Sequence, residues 1–189
     1  MHTGLASTTI ERLCRILVAV FNIASLIPFV VGAEEPHVLT VCDILKDLRP
    51  YSGKRVAVRG IVYQSREIFA LGGLGCSQAF MTDGFTWPTA LSLEAADYEE
   101  PGERRVAFQT DEAALSALTE VLRGRANQGS RRQEVWATFV GQIRVRGEYT
   151  IETVGNGRRQ GNGYGDLAAY PAQLVIQTVR DVSLIEPGK

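Results

Sequence analysis

The chain has 189 residues, a hydrophobic fraction of 45% and a formal net charge of −1. That is the composition of an ordinary globular protein. The balance argues against a protein built to hold a phosphate backbone, which needs a basic footprint; only local basic patches are available for that.

Residues 11–35, "ERLCRILVAVFNIASLIPFVVGAEE", differ from the rest. Arg12 and Arg15 precede an apolar run of about 16 residues interrupted by Asn22, Ser25 and Pro28. Val31-Gly32-Ala33 then supplies small residues at the positions a signal peptidase reads. A positive start, an apolar middle and a small-residue end predict a secretory signal peptide over residues 1–33. The competing reading is a retained membrane anchor. It is disfavoured because the run falls short of the roughly 20 residues a span needs and Pro28 would break its last turns. No Cys follows the small residues, which disfavours a lipoprotein anchor. Cleavage would leave residues 34–189 as a single domain. It would also remove Glu11, Arg12 and Arg15 and move the formal charge from −1 to −2.

The same cleavage removes Cys14 and leaves Cys42 and Cys76 in an oxidising, exported compartment, periplasmic or extracellular. An even pair there predicts a disulfide, with two buried thiols as the alternative. Two Cys and the lone mature His, His37, are too few for a zinc site, so no metal and no cofactor is expected.

"TVCDILKDLRPYSG", residues 40–53, reads as a short helix. Thr40 is its N-cap, Val41, Ile44, Leu45 and Leu48 form its apolar face, and Pro50 and Gly53 end it. A strand follows over residues 54–64. Val56, Val58 and Val62 fall on one face and Arg55, Ala57, Arg59 and Ile61 on the other, but Gly60 sits where the inner face calls for a large apolar residue. A second strand is expected around residues 67–71. Residues 72–76 form a glycine-rich loop that a disulfide would pin. "SQAFMTDG" and "TALSLEA" read as short strands on either side of an Asp83-Gly84 turn.

"TDEAALSALTEVLRG" is the clearest helix. Thr110 or Asp111 caps it, Leu115, Leu118, Val121 and Leu122 share one stripe, and Gly124 is expected to stop it. Residues 135–151 then alternate without a break, with Gly141 on the inner parity. Seventeen residues at about 3.3 Å each would overshoot a domain this small, so the run must bend or turn. Val56-x-Val58-x-Gly60-x-Val62 and Ala137-x-Phe139-x-Gly141-x-Ile143 share one pattern, a glycine midway along the inner face. In a small barrel such glycines mark where strands coil hard. Residues 172–185, "AQLVIQTVRDVSLI", read as the last strand.

Reduced to its main strands, the order is helix, three strands, helix, two strands. This predicts an all-β protein with minor helices: a five-stranded OB-like Greek-key barrel, a helix between strands three and four, and a short N-terminal helix. A β-sandwich is the alternative. The segments "VCDILKDLRPYSGKRVAVRGIV" and "GNGYGDLAAYPAQLVIQTVRDV" resemble the opening and closing of small exported bacterial OB-like domains. No activity is attached to that group, so the resemblance implies a fold and little chemistry. A His often follows the Gly-aromatic-Gly of those relatives; here Asp166 stands there, so any metal contact or proton transfer by that His is lost or altered.

The glycines of "GNGRRQG" are spaced Gly155-x-Gly157-x-x-x-Gly161, with no following helix and no Walker lysine, so nucleotide binding is not expected. The plain reading of that segment is a mobile hairpin loop, with Arg158 and Arg159 at its tip to attract an anion. Phe69, Phe80, Phe85 and Trp87 fall on or beside the strand-two to strand-three face that OB-folds use for ligands. Core packing is the competing role for such rings. No Ser-His-Asp or Cys-His arrangement can be assembled, and the acid pairs Glu99/Glu100 and Asp111/Glu112 read as solvated, so no enzyme is expected. The resulting expectation is an exported, non-catalytic binding module of the cell envelope. Its candidate ligand residues are Phe80, Trp87, Arg158, Arg159, Tyr164 and Asp166, and its partner an envelope protein or a glycan. A structural scaffold without a pocket is the alternative. Oligonucleotide or oligosaccharide binding on the OB face is a third reading, and for nucleic acid it rests on fold alone.

Overall fold

A computed structural model of the chain describes residues 35–98, 103, 105–127 and 133–186. Residues 1–33, the expected signal peptide, lie outside the described residues, as do Glu99 and Glu100. No helix among the described residues is long and apolar enough to cross a membrane.

Strand β1, Val38–Thr40, leads directly into helix α1, Val41–Lys46. Thr40 caps α1 as its spacing predicts: its Oγ1 accepts from the Asp43 amide, and the Asp43 carboxylate accepts from the Thr40 amide. Val41, Ile44 and Leu45 point from α1 into the core. Next come β2, Arg55–Gln64, and β3, Phe69–Gly72. A small hairpin follows, of β4, Met81–Thr82, and β5, Phe85–Thr86. Its turn is Asp83-Gly84, both at positive φ, the conformation an Asp-Gly pair is suited to. Strand β6, Ala90–Ala95, is separate from this hairpin, so "TALSLEA" is not the turn's partner; Phe85–Thr86 takes that place.

Helix α2 spans Glu112–Asn127. Asp111 caps it by accepting from the Ala114 amide. It runs past Gly124, which therefore does not stop it: intrahelical bonds continue through a glycine at a cost of only about 1 kcal/mol. Leu118 and Leu122 join the core. Strand β7, Glu134–Val145, is twelve residues long. The alternating run thus breaks at Val145, and its continuation becomes a hairpin of β8, Ile151–Thr153, and β9, Arg159–Gly161. Strand β10 covers Ala172–Ile185, the predicted limits of the last strand.

Five strands close a barrel. β2 pairs antiparallel with β3, β3 antiparallel with β6, and β6 parallel with β10. β10 pairs antiparallel with β7, and β7 returns antiparallel to β2. With α2 between the third and fourth barrel strands, this is the OB-like barrel expected from the element order. Its interior holds Val56, Val58, Val62, Leu71, Leu91, Leu93, Phe139, Ile143, Leu174 and Ile176. Ala57 and Ile61 are buried as well, so the middle of β2 is covered on both faces rather than one.

Gly141 shows why the long strands carry an inner glycine. A Cβ placed there would lie 2.0 Å from the Val175 carbonyl oxygen. The β7–β10 register slips at the same point, between Ile176 and Thr178, leaving Gln177 as the extra residue of a bulge. The bulge bends β10 across β7 and needs the empty position opposite. Gly60 has a similar role: a Cβ there would meet the Gly72 carbonyl oxygen at 2.6 Å. Both inner glycines therefore sit at points of close strand approach.

Cys42 in α1 and Cys76 in the loop after β3 are joined as a disulfide.

Candidate functional site

On the outer face of β3, β6 and β10 lies a groove of about 790 Å³. One wall is the turn joining β2 to β3, with Arg66, Glu67 and Ile68; the other is residues 165–170 of the loop joining β7 to β10. Outward parity places Ser92 and Glu94 of β6 and Gln173 of β10 toward it. Ser92 and Gln173 are register partners, so they stand side by side on its floor. Ile68, Tyr98 and Leu167 line it with large apolar side chains that remain exposed, Leu167 at 63%.

The loop wall is a built structure. Tyr164 and Tyr170 exchange two backbone hydrogen bonds, of 2.7 and 3.1 Å, and close residues 164–170 into a tight unit. Within it Leu167 and Ala168 stand at φ 55° and 50°. This left-handed conformation costs a residue with a Cβ roughly 1–2 kcal/mol, so the surrounding contacts must impose it. Arg146 anchors the loop from the end of β7. Its Nε donates to the Asn162 carbonyl, another guanidinium nitrogen to the Gly163 carbonyl, and a third to Glu103, each at 3.0 Å. Its guanidinium also lies 4.1 Å from the Tyr164 ring centroid, and the Tyr164 hydroxyl donates to Glu103 at 3.0 Å.

Beneath the loop sits an aromatic cluster. Trp87 has Phe85 at 5.0 Å and Tyr149 at 5.3 Å between ring centroids, and Phe80 lies 5.2 Å from Tyr149. The Trp87 indole N–H donates to Thr82 at 2.8 Å. A Cβ at Gly163 would lie 2.6 Å from the Trp87 ring and 2.1 Å from the Tyr170 carbonyl oxygen. The glycine of this segment thus allows close packing on Trp87, and the segment is more than a slack hairpin.

The candidate residues from sequence divide accordingly. Asp166 lines the groove. Trp87 and Tyr164 are each 1% exposed, so their rings support the loop rather than face a ligand. Phe80 is half-buried in the same cluster. Arg159 donates to the Asp83 carbonyl at 2.6 Å and ties the β8–β9 hairpin to the β4–β5 hairpin. Arg158 is exposed and, like Arg159, does not line the groove. Burial explains these corrections. The sequence places these aromatic side chains near a ligand face, but in the fold Gly161 and Gly163 pack on Trp87 and both Trp87 and Tyr164 are buried. Ser92 and Gln173 escaped sequence reading, although both stand on the outward parity of apolar strands, where a polar residue is the available signal.

Among the described residues, the carboxylates of Glu67, Glu94 and Asp166 and the guanidinium of Arg66 line the groove. Burial pushes the Tyr170 phenol up from its ordinary pKa, and the Asp166 carboxylate adds to the rise. The phenol therefore stays neutral and keeps its proton to donate. Among the described residues no group of three or more His, Cys, Asp or Glu side chains is placed to hold a metal ion.

No family model, curated protein or solved structure matches the chain. The fold and the groove together define an OB-like barrel with a shaped outer face.

Proposed function

We propose that this protein is an exported, non-catalytic binding module of the cell envelope whose ligand lies in the groove between the β2–β3 turn and residues 165–170. The carrying observation is the construction of the loop wall. Leu167, an apolar residue, is held in a left-handed conformation at the rim with most of its side chain in solvent. Strain maintained at an exposed apolar position is the mark of a contact surface. The exposed Ile68 and Tyr98 on the same groove support this reading. They weigh against a pure scaffold, for which a shallow polar face is expected. The formal net charge of −1 weighs against a phosphate backbone as ligand. The disulfide between Cys42 and Cys76 suits export, as do the secretory features of residues 1–33.

Leu167→Asn tests the reading. Asn tolerates a left-handed backbone better than Leu, so the variant is expected to be as stable as the parent or up to about 1 kcal/mol more stable. Its retention on immobilised envelope material is expected to fall, and Ile68→Asp is expected to reduce retention in the same way. Retention unchanged in both variants would remove the groove from consideration.

A further inference from the structure

The floor of the groove indicates the ligand's chemistry, on the footing that the groove is the binding site. The outer face carries a cross-strand row, Ala70–Ser92–Gln173–Arg144, each residue the register partner of the next. Ser92 is 3% exposed and Gln173 1%. Arg144 donates to the Gln173 Oε1 at 3.2 Å. That bond fixes the amide with its oxygen toward β7 and leaves its NH2 group over. Among the described residues, neither that NH2 group nor the Ser92 Oγ makes a hydrogen bond, and both residues line the groove. Neither atom is fully enclosed, so both open on the groove, and a ligand oxygen seated there supplies the partner that each lacks.

We infer that the groove takes a neutral oligosaccharide, with an oxygen of one sugar unit seated on the Gln173 NH2 and Ser92 Oγ. Each part of the groove fits this chemistry. The floor presents an N–H donor, which demands an acceptor. The walls present the carboxylates of Glu67 and Asp166, which demand donors. A sugar hydroxyl is both. The exposed Tyr98 ring and the apolar Ile68 and Leu167 suit the C–H face of a pyranose ring. A lysine side chain satisfies the walls but cannot accept from the Gln173 amide. A phosphodiester accepts from the floor but meets a carboxylate on each wall, Glu67 and Asp166, offset by Arg66 alone among the described residues. The volume is that of a small-ligand site.

The protein with its disulfide formed is titrated with hexamers of glucose, mannose and N-acetylglucosamine, and with hexalysine and hexathymidylate as contrasts. At least one sugar hexamer is expected to bind, with little dependence on salt. Gln173→Glu keeps an oxygen for Arg144 and replaces the NH2 donor by an acceptor. It is expected to weaken sugar binding at least about tenfold with no loss of thermal stability. Ser92→Ala removes the hydroxyl with little change in volume and is expected to weaken binding several-fold, which keeps the test decisive if the glutamate variant folds poorly. Failure of every sugar to bind overturns the inference. So does sugar binding indifferent to both substitutions. Salt-sensitive hexalysine binding that Leu167→Asn weakens, without sugar binding, overturns the sugar and leaves the groove as the site. Hexathymidylate binding weakened the same way, without sugar binding, does likewise. Envelope retention indifferent to Leu167→Asn and Ile68→Asp overturns the groove reading itself.

Discussion

Tyr149 shows how one side chain joins loop, core and pH response. Its ring packs edge-on against Phe80 and Trp87, and its hydroxyl donates to the Pro171 carbonyl just before β10. Burial pushes its pKa up from 10.0 to about 12, outweighing Arg146, which acts in the opposite direction. The folded state therefore holds the neutral phenol while the unfolded chain ionises near its ordinary value. The stability this contributes is complete below pH 10 and is lost as pH rises from there through about 12. Tyr149→Phe is expected to lower stability at neutral pH by about 1 kcal/mol through the lost hydrogen bond. It is also expected to flatten part of the fall in melting temperature between pH 10 and 12. Melting curves of parent and variant across that window check both effects. Parallel falls in the two proteins would mean that Tyr149 is not what fails at high pH.

At the scale of elements, glycine has opposite meanings in strand and helix. Gly141 faces the β10 bulge with no room for a Cβ, whereas nothing lies within 4 Å of the Cβ position of Gly124 in α2. Gly141→Ala is expected to destabilise the protein by at least the roughly 1–3 kcal/mol typical of overpacking. Gly124→Ala is expected to stabilise it by about 0.5–1 kcal/mol. Chemical denaturation of the two variants gives the comparison, and an alanine tolerated at Gly141 would contradict the role assigned to the bulge. The same contrast explains what is legible in the sequence. The midway glycines of β2 and β7 break a strict period of two, so their curvature can be read directly. The end of α2 cannot, because a glycine inside a helix and one just past it look alike without the contacts. The break of β7 at Val145 is equally hidden, since residues 147, 149 and 151 keep the strand period after the strand has ended. The Thr40 cap of α1 and the limits of β10 are legible because local chemistry and period agree there.

For the whole molecule, the barrel order follows from the sequence, while the groove depends on contacts between distant segments. Asp166 is recognisable because it stands beside a Gly-aromatic-Gly. Ser92 and Gln173 become a pair only once β6 and β10 are known to lie parallel and in register. Trp87 turns from candidate ligand platform to support when residues 161–163 close over it. The disulfide lies at the head of this support. Cys76 tethers the loop that leads through Phe80 to Trp87, and Gly163, two residues before the groove wall, rests on Trp87. Replacing Cys42 and Cys76 by Ser frees a loop whose ends are 34 residues apart in sequence. On the chain-entropy model this is expected to cost about 3–4 kcal/mol. The loss should not be uniform. The tie holds α1 and residues 73–89, whereas the β7–β10 ladder and the core around Phe139 and Leu174 do not depend on it. Hydrogen exchange in the variant is therefore expected to rise first in α1, in the β4–β5 hairpin and in residues 161–170, with β7 and β10 protected until global unfolding. Uniform loss of protection would show that the disulfide stabilises the barrel as a whole. Unchanged exchange at residues 161–170 would show that the groove wall stands without that support.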